Sequence, residues 1–175
     1  MLKKLFIPFF LLSLVITFSA CSGESGPILD TRDRNIDLIC TLTVGDTVNT
    51  LHVTLAPMAD EEVRKGEIEL LSPDELKGVK VLFGHDGTFL SYGDIRIPIP
   101  TDSFSSGLLS SLFSLSDTNI TAVRATADGN TEAEAQNERG RYIITLDKKT
   151  EKVSEASGVF DGREFSLTAE EYIAS

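Results

Sequence analysis

Most of the chain alternates apolar and polar residues with a period of two, which is typical of β-strands with one buried face. In the segment IDLICTLTV every second residue from Ile36 to Val44 is apolar, and Asp37 and Thr41 are among the residues between them. Cys40 occupies an apolar position in this run, so we expect its side chain to be buried. The segment is therefore predicted as the first half-buried strand.

The same alternation continues along the chain and is interrupted by turn residues. Pro98 and Pro100 lack the backbone N–H that a sheet ladder requires, so the strand that contains them should end at an edge. Tight turns rich in Gly and Asp are predicted at residues 45–46, 85–87 and 161–162. Further strands are predicted at residues 51–55, 68–70, 79–83, 89–99, 120–125, 141–147, 152–160 and 164–168.

The segment between the strands predicted at 120–125 and 141–147 differs in composition. Residues 125 to 140 are polar and rich in Ala, Glu and Asn, and we expect a mobile loop or a short exposed helix there. The whole pattern predicts about eight or nine antiparallel strands. A sheet of that size tends to curl, and something must cover its open apolar face. The predicted fold class is therefore mainly β, within α+β.

The segment TDSFSSGLLSSLFSLSD, residues 101 to 117, breaks the period of two and carries no charge between its flanking aspartates. At 100° per residue, a helix through it has one apolar half and one half of serine and glycine. Serine and glycine are poor helix formers, so the helix should depend on docking of its apolar half. The apolar half contains Phe104, Leu108, Leu109, Leu112, Phe113 and Leu115.

Three interpretations of this segment remain open. It is a core helix packed on the sheet, or it is a lid over a cavity whose serine face points toward a partner or a membrane. In the third interpretation it is a disordered loop or a direct membrane contact.

The N-terminal residues have the features of an export signal. Two lysines precede an apolar run of fourteen residues, Leu5 to Phe18, which is too short for a membrane-spanning helix. The run ends in FSAC, which resembles the lipobox of bacterial lipoproteins, with Phe18 where leucine is usual. That resemblance implies cleavage before Cys21 and its acylation by chains such as palmitate. Ordinary secretory cleavage after Ser19 is the alternative.

These features divide the chain into a signal peptide at residues 1–20, a flexible tether at 21–34 and a single antiparallel β domain at 35–175. The expected location is extracytoplasmic, with acyl chains on Cys21 as the anchor in the bacterial cell membrane. Acylation of Cys21 leaves Cys40 without a disulfide partner. After ordinary cleavage, a disulfide between Cys21 and Cys40 is an alternative.

Charge and motifs exclude several classes of function. The chain has a formal net charge of −11, and loss of residues 1–20 with their two lysines shifts it to −13. Such a surface repels nucleic acid and acidic lipid headgroups. His52 is predicted in a strand and His85 in a turn, and no cysteine pair accompanies either histidine, so neither a metal nor another cofactor is predicted. The sequence contains no nucleophile motif or nucleotide-binding loop, and no enzymatic activity is expected.

One family resemblance covers roughly residues 36 to 168. It rests on the order of the elements and on LLSPDELKGVKVLFGHDGTFLSYGDIRIPIP, residues 70–100, followed by an apolar helix. The spaced residues are Pro73, Leu76, Gly78, Tyr92, Gly93 and Pro98. This pattern resembles the LolA/LolB-like lipoprotein-carrier superfamily, which includes periplasmic chaperones and lipoproteins of spore-forming Gram-positive bacteria. The resemblance implies a curved half-barrel sheet with helices on its concave side and, in the chaperones, a hydrophobic cavity for acyl chains.

Two functions are compatible with these observations. In the first, the protein binds a lipid, an acyl chain or a lipoprotein client in a cavity between sheet and helix. In the second, the core is filled, and the protein is a cell-envelope scaffold or accessory subunit that binds a protein partner. The candidate cavity residues are Phe83, Phe89, Ile97, Phe104, Leu108, Leu112 and Phe113.

Overall fold

Two runs of consecutive antiparallel strands join into one sheet in the computed structural model, which describes residues 33–58, 64–100, 103–113 and 119–174. The predicted signal peptide, Cys21, the tether through residue 32 and Leu115 lie outside the described residues. Within the described ranges, no helix has the length and apolar character needed to cross a membrane.

The described part of the chain contains eleven strands and one α-helix. A short 3-10 helix, Asp74–Leu76, follows the third strand. The helix α1 is Phe104–Phe113. The strands are β1 (Ile36–Val44), β2 (Thr47–Leu55), β3 (Gly66–Ser72), β4 (Lys80–Gly84), β5 (Gly87–Tyr92), β6 (Ile95–Ile99), β7 (Ile120–Ala125), β8 (Thr131–Asn137), β9 (Gly140–Leu146), β10 (Val153–Phe160) and β11 (Arg163–Ala174).

The strand order is β6-β5-β4-β3-β2-β1-β11-β10-β9-β8-β7, and every pair is antiparallel. The first strand therefore pairs with the last strand at the centre of the sheet. The two strands that flank α1 in the chain, β6 and β7, lie at opposite edges. The connection between them must cross the sheet, and α1 lies on that crossing. The sheet is open and curved, and its concave side carries the helix.

The alternation in the sequence separates an apolar concave face from a polar convex face. Directly paired residues of neighbouring strands share a face, and the concave rows include Leu38, Val53 and Ile68, each at most 1% exposed. Cys40 is fully buried in the same face, as predicted. The convex side carries ion pairs, among them Lys80 with Glu67 at 2.6 Å.

The predicted curved antiparallel sheet with a covering helix is confirmed, but the predicted number of eight or nine strands is too low. The segment predicted as one strand, residues 89–99, is split by a turn at Gly93 and Asp94, and Gly93 has a φ of +56°. The edge position expected for Pro98 is confirmed, because β6 is an outer strand.

The second missing strand lies where a loop or exposed helix was predicted, and that prediction is wrong. Residues 131–137 form β8, between β7 and β9. Ala133 and Ala135 are fully buried on the concave face, while Glu132 and Glu134 alternate with them. Small inward side chains fit beside the larger Tyr142 of β9, so alanine here is a core residue rather than a mark of a loop.

A pair of aspartate substitutions in β8 tests this assignment. We expect Ala135→Asp to lower the free energy of unfolding by more than about 3 kcal/mol, because it buries an unpaired charge. Gln136→Asp is the control, since Gln136 is exposed on the convex side, and it should change stability by about 0.5 kcal/mol or less. Urea unfolding measures both. Equal effects of the two substitutions would contradict the strand assignment.

Candidate functional site

Helix α1 packs on the concave face over the C-terminal run of strands. At its first turn the ring of Phe104 meets Phe160 of β10 edge-on, with ring centroids 5.6 Å apart. At its last turn Phe113 stacks on Tyr172 of β11 at 6.1 Å. Leu108, Leu109 and Leu112 between them are at most 1% exposed. Burial of each such side chain contributes about 1.5–3 kcal/mol, which offsets the low helix propensity of the serines and Gly107.

The small side of α1 also packs against protein. A side chain at Gly107 would place its Cβ 2.0 Å from Nη1 of Arg139, in the β8–β9 turn. Ser111 accepts a hydrogen bond on its hydroxyl from Asn137 Nδ2 at 3.2 Å, and its carbonyl accepts one from the Tyr142 hydroxyl at 3.4 Å. The serine and glycine residues therefore let the β8–β9 hairpin approach the helix. The described residues support the core-helix interpretation and not the lid with a partner-facing serine side.

Arg139 is itself fixed by neighbours around the start of α1. Its Nε donates to Asp161 Oδ1 at 3.0 Å, and its guanidinium lies 4.5 Å from the ring centroid of Phe160. Hydrogen bonding to Arg139 lowers the pKa of the Asp161 carboxyl. The ion pair thus ties the β8–β9 and β10–β11 turns to each other beside the helix.

The C-terminal end of α1 is held by a buried arginine. Arg64 is 3% exposed, and its guanidinium donates to the carbonyl oxygens of Phe113, of Ala56 at 2.8 Å and of Arg34 at 2.7 Å. A cation at this end also interacts favourably with the helix dipole. Burial lowers the pKa of Arg64, an effect that the nearby Tyr172 opposes, and an arginine remains charged at neutral pH.

This arginine joins three parts of the chain: the residue pair before β1, the end of β2 and the end of α1. Its role was not predicted from the sequence. Nothing in the local pattern distinguishes Arg64 from its charged neighbours, since its partners are backbone carbonyls distant in sequence.

The helix leaves apolar side chains of the N-terminal run exposed on the concave side. We call Leu90, Tyr92, Ile95, Ile97 and Ile99 the β5–β6 surface. Ile95 is 61% exposed, Tyr92 59% and Ile97 51%, while Leu90 and Ile99 are half-buried and pack against the core. By register Ile97 faces Leu90, and Leu90 faces the buried Val81. The surface is therefore a continuous outward extension of the core.

Within the described residues, no charged side chain lies on the concave side of β3 to β6. The register places there only apolar residues, Gly66, Thr88 and Tyr92. Gly66 makes room for a large neighbour, because a Cβ at this position would lie 2.5 Å from Cζ of Phe83 and 2.7 Å from Cδ2 of Leu55. The floor of the concave face is thus closely packed up to β4, and exposed apolar area begins at β5.

The predicted cavity residues do not form one lining. Leu108, Leu112 and Phe113 are buried in the packed core, Phe104 is half-buried, and Phe83 is 8% exposed. Ile97 lies on the concave side but is half exposed.

The prediction is wrong for Phe89, which lies on the convex face. Phe89 pairs with Leu82 and Pro98, whereas Phe83 pairs with Thr88. The Arg96 guanidinium covers the Phe89 ring at 3.8 Å from its centroid. Phe89 therefore cannot line a cavity on the concave side.

A separate groove of about 500 Å³ lies where β1, β2, β3 and β11 meet at one end of the sheet. Its walls include the convex-facing Asp37 and Thr54 together with Lys65, and the concave-facing Ile36 and Leu55. Because the groove runs around the end of the sheet and carries charged walls, it suits an extended apolar ligand less well than the β5–β6 surface.

The titratable residues in the described ranges do not form a reactive cluster. Burial raises the pKa of the Cys40 thiol to about 12, so this sulfur stays protonated at neutral pH and is a poor nucleophile. His52 bonds Asp37 at 2.9 Å on the convex side, and His85 is exposed in a turn. Among the described residues, no group of three or more His, Cys, Asp or Glu side chains could hold a metal ion.

Comparison with solved structures finds proteins of similar fold. An uncharacterized conserved protein from Thermus thermophilus matches with a TM-score of 0.50 at 11% identity, over 85% of this chain and 81% of that one. MucB matches with a TM-score of 0.50 at 9% identity, over 82% of this chain and 54% of MucB, so the match spans about half of that protein.

A LolA superfamily protein from Nitrosomonas europaea matches with a TM-score of 0.41 at 8% identity, over 83% of this chain and 87% of that one. At these identities the likeness concerns the fold alone. No family model matches the sequence, and no curated protein matches it.

The role of Arg64 is tested by replacement with an unbranched apolar residue. We expect Arg64→Met to lower the free energy of unfolding by about 2–4 kcal/mol, because it leaves buried carbonyl groups without their charged donor. Arg141→Met is the control, because Arg141 is exposed and bonds Gln136 at 3.1 Å on the surface. Thermal and urea unfolding measure both variants. A loss no larger than that of the control would show that Arg64 does not hold the helix.

Proposed function

We propose that the protein is a non-catalytic, extracytoplasmic lipoprotein that binds an acyl chain on the β5–β6 surface. The observation that carries this proposal is the continuity of that surface with the core. Ile95, Ile97 and Tyr92 are each more than half exposed. They adjoin buried side chains on the concave side of the described strands β3 to β6, where no charged side chain lies. Exposed contiguous apolar surface in a soluble domain marks a binding site.

The energetics suit an acyl chain. Burial of one methylene group contributes about 0.8 kcal/mol, so a chain that covers part of this surface gains several kcal/mol. A neutral hydrocarbon also meets no unfavourable charge on the concave side of the described strands β3 to β6. The chain as a whole has a net charge of −11, and the convex ion pairs keep the rest of the sheet polar.

The anchor and the location belong to this proposal and rest on the sequence. The apolar run that ends in FSAC supports export and acylation of Cys21. Acyl chains on Cys21 hold the domain beside a membrane through the tether, where acyl ligands are abundant. The protonated Cys40 thiol and the separate histidines agree with a binding role rather than catalysis.

A scaffold or accessory subunit is the second candidate. The filled packing beneath α1 favours it, because Leu108, Leu112 and Phe113 leave no hollow of their own. In that case a protein partner contacts the edge strand β6 and its exposed isoleucines. Pro98 removes one backbone donor from that edge, so side-chain contacts dominate the interaction.

Photolabelling with a matched pair of variants tests the acyl-chain proposal. The full-length protein in lipid nanodiscs is irradiated with a diazirine-bearing palmitoyl methyl ester, and labelled peptides are mapped by mass spectrometry. We expect labelling on β5 and β6 in the wild type and about a tenfold loss in Ile95→Glu, because a charge interrupts the apolar surface.

The control is Ile173→Glu. Ile173 is 59% exposed, close to the 61% of Ile95, but it lies on the convex face opposite Asp37. Its substitution should leave labelling of β5 and β6 unchanged. Ile95→Glu should keep the wild-type melting temperature, whereas Ile173→Glu should lower it slightly, because the new carboxylate faces Asp37 across the strand pair. Labelling spread evenly over both faces, or equal loss in both variants, would reject the acyl-chain site and favour a protein partner.

A further inference from the structure

A buried hydroxyl without a partner lies next to the β5–β6 surface. Thr88 is 2% exposed, and its Oγ1 makes no hydrogen bond within the described part of the chain. By register it faces Phe83 on one side and Ile99 on the other, on the concave side of β5. Leu90, two residues further along the same face, belongs to the β5–β6 surface.

A buried hydroxyl without a hydrogen bond lowers the stability of the fold. Buried polar groups in proteins are almost always hydrogen-bonded, and one left unpaired destabilises the fold. Valine has the same shape and fits a β-strand equally well. The unpaired hydroxyl in an otherwise apolar row indicates a partner that arrives from outside the chain.

We propose that the Thr88 hydroxyl donates a hydrogen bond to the carbonyl oxygen of a neutral acyl ester, whose hydrocarbon chain lies on the β5–β6 surface. This inference rests on the proposed function and names its ligand class. The ester enters by displacing the half-buried side chains of Leu90 and Ile99, the two neighbours that are least enclosed. The hydroxyl sets the position of the ester, and the isoleucines of β6 hold the chain.

The absence of charge from the concave side of the described strands β3 to β6 selects a neutral ester. A free carboxylate or a phosphate bound there would lose its hydration without gaining a counter-ion. A plain hydrocarbon would leave the hydroxyl unpaired. An ester carbonyl is uncharged and accepts the single hydrogen bond that Thr88 offers.

Three photolabelling probes with the same diazirine chain test the hydrogen bond from Thr88. They are a methyl ester, a free carboxylate and a hydrocarbon. In the full-length protein in nanodiscs we expect the ester to label β5 and β6 most strongly. Thr88→Val should reduce ester labelling about five- to tenfold, which is the effect of one hydrogen bond, and leave hydrocarbon labelling unchanged. Thr88→Ser keeps the hydroxyl and should restore ester labelling.

The stability of the unliganded variant gives a second readout. Thr88→Val should raise the melting temperature by about 2–4 °C, because it removes an unpaired buried hydroxyl. A lower melting temperature would show that the hydroxyl already has a partner within the fold, and would overturn the proposal.

The outcomes distinguish failure of the Thr88 hydrogen bond from failure of the proposed function. If Thr88→Val is labelled by the ester as strongly as the wild type, the Thr88 hydrogen bond is rejected, but the apolar binding site is not. Equal labelling by carboxylate and ester would reject the neutral-ester class. If no probe labels β5 or β6 in the wild type, both the proposed function and the Thr88 hydrogen bond are rejected. Competition by diacylglycerol or by a diacylglyceryl-cysteine peptide distinguishes a membrane lipid from a lipoprotein as the source of the ester.

Discussion

The pairing of the first strand with the last is the constraint on which the rest of the structure depends. From Ile36 opposite Ala174 to Val44 opposite Phe165, β1 and β11 form the centre of the sheet. This pairing sends β6 and β7 to opposite edges, ten strand spacings or about 48 Å apart in a flat sheet. The residues between Ile99 and Ile120 can span about 50 Å if ten of them are helical. The connection is therefore just long enough, and curvature of the sheet shortens its path across the concave side.

The same constraint explains why the concave face has two unlike halves. A helix of ten residues is about 15 Å long, which matches roughly three strand spacings. It can cover β9 to β11 or β4 to β6, but not both. The side chains decide which: Phe160 and Tyr172 offer aromatic partners to the ends of α1, and the β8–β9 turn fits its small side. The β5–β6 surface lies in the half of the concave face that one short helix leaves uncovered.

The period-two pattern predicted ten of the described strands, two of them as one segment, and the burial of Cys40, while the 100° pattern of residues 101–117 predicted the covering helix, because each follows from local periodicity. It failed where the deciding contacts lie elsewhere. β8 uses alanine as its inward residue, which local composition does not mark as core. A three-residue turn at 85–87 would place Phe89 on the same face as Phe83, but the observed turn is His85 and Asp86, with Gly84 opposite Gly87. One residue of turn length moves a side chain to the other face. The bonds of Arg64 to distant carbonyls have no local signature at all.

The contacts of α1 and of β6 indicate which of the two elements can open more easily. Arg64, the Tyr142 hydroxyl and the Arg139–Asp161 pair hold α1 at its ends and along its small side, so lifting the helix would break buried polar contacts as well as expose leucine and phenylalanine. The strand β6 has only five residues and one partner strand. Elements with few buried contacts open at low free energy. In the proposed function, side chains of β6 therefore move aside for the ligand while α1 stays docked, and the ligand reaches the concave face by its open edge rather than beneath the helix.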